Sequence, residues 1–597
     1  MKEILFVNLY DFVTLKPFDV PIGIKSLEAI VNKSKKYTAK ICDFNNYYYK
    51  HILLKKGFKE AIEDMATVIL NFNVPIISIY TMCNNYYLAI FLSNYIKKIS
   101  NIKIILGGPH ATLVAEKTLE SFKSVDYIGL GEGESNIINI LDSIFNNDFE
   151  NVNGLAYRNK AGEIVTKWNK KNDVNLDTLD TVVPINIEES NKNYIDIEVG
   201  RGCPFKCTFC STQKFWGNKF RIKSLNKLFD ELKFYVEEKK INTFSFQHDL
   251  FTFDKQYIRQ FCHGIDSRKL DIKWGCSSRI DSLEAENIEL MAKMGCFKIF
   301  FGIETGSKKI QKEIGKILDT ESIVEKAKIL KKYKISSTFS FIYGFPNETV
   351  NDLNQTLKLM YDLKKLDILY KETKTQIQLW PLTFLPGTYM GDRYKDELIF
   401  KSNKKLDFNY CAYIDEPEVQ SLIKENKDIF LNYYNYPKAF KNDFCYLNIT
   451  FMNIFNKSYS YIHCSFDEML RLIKYDFVKF YREFFLINKE NMYKLDINYI
   501  ISNNLLIYDE ILCFVELFFN YITHSKDFKD NNYLKDIIKF EYNIVKCLFS
   551  TVNYCKIEDF EYDVYNILSG DNKLSNKKHT RIKFSKKNKN AVVTKMN

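Results

Sequence analysis

At 597 residues the chain is far too long for one hydrophobic core, and 46% apolar with 27% charged residues excludes a disordered or fibrous polypeptide. The net charge of +11 does not mark a nucleic-acid-binding body: residues 571–597 carry nine Lys or Arg against Asp571, which accounts for +8 and leaves +3 for everything else. That stretch is low in apolar residues and reads as a basic disordered tail, so nucleic acid is not an expected partner.

No run of 18 uncharged apolar residues occurs, and the opening MKEILFVNLYDF carries Glu3 and no small-residue cleavage site, so neither a membrane span nor a signal peptide is expected. The expected compartment is the cytoplasm. Fourteen cysteines are too sparse for a disulfide scaffold, yet three of them, Cys203, Cys207 and Cys210, crowd into eight residues. Such crowding points to a metal or redox centre.

Along residues 1–150, strand-length apolar runs alternate with helical periodicity: Ile4 to Leu9, a helix around Ile24 to Val31, Ala39 to Phe44, a helix around Lys59 to Leu70, Pro75 to Tyr80, a helix around Tyr86 to Lys98, Ile102 to Leu106 and Tyr127 to Leu130. This is an α/β, Rossmann-like series. Gly107-Gly108-Pro109-His110 and Gly129-Leu130-Gly131-Glu132-Gly133-Glu134 fall just beyond strand ends, the edge where open parallel sheets bind ligands. Neither is the spaced G-x-G-x-x-G fingerprint, and both are equally readable as turns. Residues 151–185 read as a hairpin, Gly154 to Tyr157 and Glu163 to Trp168, followed by a polar linker to Pro184.

Residues 186–400 begin a second α/β series. Tyr194 to Val199 alternates like a strand, and the cysteines follow on the loop at its carboxyl end. Three thiolates can hold three irons of a [4Fe-4S] cubane and leave the fourth open for chemistry. The alternative, zinc, needs a fourth ligand at short spacing, and the next His and Cys are His248 and Cys262. Five further strands are expected, ending in His248-Asp249, Ser278-Arg279, Gly302 to Ser307, Gly344 to Thr349 and Pro386-Gly387-Thr388, the rhythm of a partial (βα)6 barrel with catalytic groups at strand ends. Cys276 and Cys296 read as buried packing cysteines.

The C-x-x-x-C-x-x-C loop after the first strand, with Phe209 before its last cysteine, resembles the radical S-adenosylmethionine (SAM) enzymes. In that family the open iron chelates SAM, and one electron cleaves its sulfonium to a 5′-deoxyadenosyl radical. The resemblance implies a [4Fe-4S] cluster on Cys203, Cys207 and Cys210, and an external one-electron reductant of flavodoxin or ferredoxin type. It implies Asp249 near the SAM amino group, Glu304 at the ribose and Gly344 against adenine with Phe209 on the other face; Arg279 is suited to the SAM carboxylate. The family's Gly-Gly-Glu triplet is replaced here by Gln247-His248-Asp249.

The order α/β domain, linker, cysteine loop, barrel resembles the cobalamin-binding branch of these enzymes, with Pro21-Ile22-Gly23 and the two glycine segments as recurring features. Gly107, Gly108, Gly131, Glu132 and Gly133 are the implied cobalamin contacts. The D-x-H-x-x-G string of His-ligated cobalamin domains is missing, so the domain either binds cobalamin without a His–cobalt bond or keeps the fold alone, and His110 reads as a turn residue.

From 401 to 570 the texture becomes helical and aromatic. Phe466, Met469, Leu470, Ile473, Phe477, Phe480, Tyr481 and Phe484 share one helical face, with Ser465 and Glu468 as a capping box. Segments around 417–434, 499–522 and 533–552 look alike.

Three functions follow. The first is a cobalamin-dependent methyltransferase acting on an unactivated carbon or phosphorus centre. The second is radical cyclisation, rearrangement, epimerisation or thioether formation on a small molecule or peptide. The third, a non-catalytic iron–sulfur sensor, does not explain polar endings on five strands.

Overall fold

The amino-terminal strands are apolar on both faces, as a sheet covered on both sides requires: in β1 (Lys2–Asn8), Ile4, Leu5, Phe6 and Val7 are all buried. The computed structural model describes residues 2–9, 20–45, 53, 56–168, 174–181, 194–400, 413–437, 449–492, 507–549, 554–564, 577–587 and 590–596. β1 pairs in parallel with β2 (Tyr37–Asp43) and β3 (Ile76–Tyr80), and β4 (Lys103–Gly107) and β5 (Tyr127–Gly129) continue the parallel order. The expected hairpin does not stand apart: β6 (Leu155–Arg158) and β7 (Ile164–Lys167) extend this sheet antiparallel, giving the order β2-β1-β3-β4-β5-β6-β7. Helices Ile22–Lys33, Phe58–Leu70, Tyr86–Ile99 and Ile137–Asn146 connect the strands. Of the linker, Asp177 and Asp180 are described, whereas Pro184 lies outside the described residues.

The second series opens with β8 (Ile195–Glu198) and a short antiparallel pair, β9 (Gly200–Arg201) with β10 (Arg221–Ile222). Then come β11 (Thr243–Gln247), β12 (Lys273–Ser278), β13 (Cys296–Glu304), β14 (Ser336–Tyr343) and β15 (Thr375–Pro381). In this series β8, β11, β12 and β13 pair side by side in parallel, and β14 pairs in parallel with β15. Its helices start where the sequence supplies a cap: Ser224, Asp254, Asp319 and Thr349 each accept a first-turn N–H, and Thr349 forms a full capping box with Asp352. Cys276 and Cys296 are buried, as expected.

Two compact units result, Met1–Phe301 with Lys312–Ile317 and Leu382–Pro437, and Gly302–Gln311 with Leu318–Pro381 and Lys438–Asn597. The first unit therefore includes a segment beyond residue 400 that the sequence assigns to the helical region. There, the helix Pro417–Glu425 and the residues after it return to the amino-terminal sheet and its helices. Ile429 O bonds His110 Nε2 at 3.0 Å, Asn432 Nδ2 donates to Cys83 O at 3.1 Å, and Tyr433 OH donates to Asn84 O at 3.2 Å. Tyr413 packs on Phe58 and Phe430 on Tyr86, with centroids 5.0 and 6.0 Å apart.

In the second unit the helices Ile449–Leu472, Phe477–Met492, Ile507–His524 and Asn532–Phe549 pack around Phe466, Phe480, Phe484, Phe518 and Tyr521. The single aromatic face expected over 466–484 is divided. Lys474 and Tyr475 take left-handed φ of 53° and 58° and turn the chain between two helices. The expected Ser465–Glu468 capping box is replaced as well: Ser465 lies inside the helix Ile449–Leu472, and the N–H groups of Cys464 and Ser465 donate to Glu541 at 2.9 and 3.1 Å.

The basic tail is a correction. The strand Lys577–Lys587 pairs antiparallel with the strands Cys555–Tyr562 and Asn590–Met596. Counting charge over 571–597 hides a period of two: Thr580, Ile582 and Phe584 are buried, while Arg581 between them is exposed and pairs with Asp559 at 2.7 Å. Ile582 and Phe584 complete a core with Phe540 and Phe560. No helix among the described residues is long and apolar enough to cross a membrane.

Candidate active site

The cysteine loop begins where β9 leaves β10. Gly202 has φ +84°, and a Cβ there would lie 2.2 Å from Lys219 O, so only glycine turns this corner. None of Cys203, Cys207 and Cys210 is in a disulfide, and all three are partly exposed. Cys210 N–H donates to Cys207 O, and the loop is pinned on both sides by Thr208 N–H to Ile314 O (3.1 Å) and Met390 N–H to Thr208 O (3.0 Å). Three thiols outside any disulfide on a backbone-fixed loop suit three irons of a cubane, and the fourth protein ligand that a closed zinc site requires is not supplied by the loop.

Two further expected residues meet this loop. Burial raises the Cys203 thiol; Asp249 and Cys210 push in the same direction, while the Phe205 N–H and Arg279 oppose them. Asp249 is itself raised by burial and steadied by the Gly202 N–H. Arg279 spends its Nε and Nη2 on Asp281 at 3.0 and 2.8 Å, and its guanidinium lies 3.9 Å from the Phe205 ring centroid. Its Nη1 is buried with no protein partner. An arginine so held presents one nitrogen, rather than a fork, to an anionic group.

Phe209 is half-buried on the loop. Glu304 is buried at the end of β13 with a left-handed φ of 71°, a conformation that costs a side-chain-bearing residue energy and clusters at functional sites. Gly344 also has positive φ, and its N–H donates to Glu348 Oε2 at 2.6 Å. That leaves its carbonyl and bare Cα edge for a ligand.

Glu348 Oε1 is buried without a partner, and burial pushes this carboxyl up to about 8 despite the N–H groups of Gly344 and Phe345. A raised carboxyl stabilises the fold fully below its ordinary value of 4.5, and that stabilisation is lost as pH rises through about 8. Glu348→Gln should remove this dependence, so wild-type melting temperature should fall relative to the variant between pH 5 and 8.5. Parallel curves would refute a protonated Glu348.

Within the first unit, a cavity of about 500 Å³ opens at the carboxyl edge of the amino-terminal sheet. Gly107, Gly108, Gly131, Glu132 and Gly133 all line it, together with Asp196, Arg201 and Trp216. Gly108 has φ +105° and stands so close to Thr81 that a Cβ would meet its carbonyl at 2.6 Å. Thr112 ties the two glycine loops together, donating to Gly108 O at 2.9 Å and accepting from Gly131 N–H at 3.1 Å. His110 does not line this cavity. Its imidazole is lowered to about 4 by burial, against the opposing bond to Ile429.

The most highly charged part of the cavity wall was not legible in sequence. Arg201, 3% exposed, bonds Glu132 at 2.8 Å, Glu134 at 2.5 Å and Glu198 at 2.7 Å. Arg221 takes the second oxygen of Glu132, and both guanidiniums face Trp216, at 5.4 and 5.9 Å from its ring centroid. Burial works against the charge of Arg201, but Glu134 and Glu198 outweigh it and hold the guanidinium firmly protonated. Glu132 thus spends its carboxylate on arginines, and what it offers a ligand is backbone. Arg201 immediately precedes Gly202-Cys203, so one side chain joins the glycine loop to the cysteine loop.

Against known proteins, residues 197–360 match the model of the Radical SAM superfamily, a span that includes the cysteines, Asp249, Arg279, Glu304 and Gly344. The uncharacterized methyltransferase PH0819 of Pyrococcus horikoshii is 28% identical over 441 residues, covering 71% of this chain and 89% of that protein. Among solved structures, the radical SAM methyltransferase TsrM of Kitasatospora setae, with tryptophan and a SAM analogue bound, aligns with TM-score 0.54 at 14% identity over 66% of this chain and 76% of its own. The cobalamin-dependent SAM radical enzyme OxsB, with aqua-cobalamin bound, aligns with TM-score 0.57 at 14% identity over 91% and 84%. At such identities the two structures establish a shared fold.

Proposed function

We propose that the chain, whose residues 197–360 match the Radical SAM superfamily, is a radical SAM methyltransferase of the cobalamin-binding branch, acting on an unactivated carbon or phosphorus centre of a small molecule. The observation that carries this reading is the glycine-edged cavity: it is lined by all five expected cobalamin contacts and reaches Arg201, two residues before the first cluster cysteine. The 28%-identical relative bears a methyltransferase name.

When bound, the [4Fe-4S] cluster supplies the electron that cleaves SAM, and cobalamin supplies the methyl carrier. The side chains act by position. Arg279 Nη1 is the free cationic donor for the SAM carboxylate, and Asp249, already fixed to Gly202, is the acceptor for the amino group. Glu304 is assigned to the ribose, and Gly344 and Phe209 are each assigned to adenine. Gly108 and Gly133 let a planar cofactor approach the sheet edge, where Trp216 and the apolar wall exclude water. An external one-electron reductant of flavodoxin or ferredoxin type is required, and the cytoplasm, where thiols stay reduced, suits a chain with no disulfide among the described residues.

The test uses anaerobically reconstituted protein loaded with hydroxocobalamin under native conditions, desalted, and supplied with reductant and methyl-labelled SAM. One corrinoid per chain should remain, its spectrum unchanged by His110→Ala, and S-adenosylhomocysteine should form beside 5′-deoxyadenosine once a substrate is present. 5′-Deoxyadenosine alone, from protein that retains no corrinoid, would favour cyclisation or rearrangement without methyl transfer.

A further inference from the structure

In the second unit, far in sequence from the cysteine loop, the helices Ile449–Leu472 and Asn532–Phe549 meet at Glu541. The N–H of Cys464 donates to Glu541 Oε1 at 2.9 Å, and the N–H and hydroxyl of Ser465 donate to Glu541 Oε2. The carbonyl of Ser460 is met by His463 Nδ1 at 3.2 Å. A carbonyl only accepts, so that contact puts the imidazole proton on Nδ1 and leaves the lone pair on Nε2. Nε2 lies 3.4 Å from Cys464 Sγ. One ligand-type atom from each of His463, Cys464 and Glu541 lies within 4.8 Å of the other two.

We propose that His463, Cys464 and Glu541 form a zinc site that clamps the helix Asn532–Phe549 to the helix Ile449–Leu472. Zinc–sulfur and zinc–nitrogen bonds of about 2.3 and 2.0 Å at a tetrahedral angle set nitrogen and sulfur about 3.5 Å apart, close to the 3.4 Å observed. The outer contacts are those of a metal site: the ligating imidazole donates its other N–H to a backbone carbonyl, and the carboxylate is oriented by two backbone N–H groups and a hydroxyl. Thiolate, carboxylate and a divalent cation sum to zero charge, which suits Glu541 at 5% exposure. On binding, the Cys464 thiol proton goes to solvent. The mixture of imidazole, thiolate and carboxylate selects zinc over magnesium or calcium, and the fourth position is taken by water.

The experiment uses holoenzyme with its cluster loaded, so that iron occupies the radical-site cysteines, exposed to Zn2+ alone and desalted. Metal analysis should find one zinc per chain beside four irons, and X-ray absorption at the zinc edge should show one sulfur at about 2.3 Å with the remaining ligands nitrogen and oxygen. Cys464→Ser and His463→Asn should each lose at least nine-tenths of the zinc while keeping iron content and SAM cleavage. Should the serine variant fail to fold, seen as lost iron, the asparagine variant decides. Holoenzyme that retains no zinc, or zinc held equally by the variants, overturns the proposal and leaves a thiol–imidazole hydrogen bond in its place.

Discussion

Protein in which Cys203, Cys207 and Cys210 are all replaced by alanine is expected to bind no cluster and to cleave no SAM above background. The cysteines are partly exposed, and substitutions at such positions usually change stability by no more than about 0.5 kcal/mol. Loss of function should therefore occur in folded protein, with an unchanged far-ultraviolet circular dichroism spectrum. Iron and sulfide analysis and 5′-deoxyadenosine formation measure it. Because each thiolate holds one iron, a single substitution should already bring SAM cleavage close to background. Persistent cleavage in the triple variant would remove the basis for placing radical chemistry on this loop.

Arg201→Met should be the most destabilising single change in the first unit. It strands the carboxylates of Glu134 and Glu198, and half of the pairing of Glu132, in a site where Arg201 itself is 3% exposed. Breaking a buried ion pair from one side costs about 3–5 kcal/mol. The apparent melting temperature should fall by several degrees and, since Arg201 adjoins Gly202-Cys203, iron content after reconstitution should fall with it. Arg201→Lys restores charge but cannot reach three carboxylates at once, so it should recover only part of the loss. Adding Glu134→Gln to Arg201→Met should regain stability, the coupling that a double-mutant cycle reads. Melting indistinguishable from wild type would mean that the network holds neither loop.

These two predictions divide along what the sequence could reveal. The cysteines were legible because three ligands lie within eight residues and their spacing is itself the chemistry. Asp249 and Arg279 were legible as strand endings, and the structure brings both to the cysteine loop. Arg201 was not legible: its partners Glu132 and Glu134 are 69 and 67 residues away, and no local pattern carries a contact of that range. A short scan between charged residues flanking the glycine and cysteine motifs was the one signal available. Composition misled at the other end of the chain, where net charge concealed the alternation of Ile582 and Phe584 with Arg581 and Lys583. The capping box at Ser465 failed for a similar reason, since Glu541, 76 residues on, supplies the acceptor that Glu468 was expected to provide.

The return of residues 413–437 to the amino-terminal sheet has a consequence for how the protein is made. His110 waits 319 residues for Ile429, and Phe58, Tyr86 and Tyr87 wait longer still for Tyr413, Phe430 and Tyr433. On a ribosome adding about 5–20 residues per second, the first strands and helices can form long before the segment that covers them exists. During that interval an aromatic face and a buried imidazole stand open to water, and closing so long a loop is slow. A fragment ending near residue 185 should collect in inclusion bodies, and supplying residues 413–437 as a separate chain should keep it in solution.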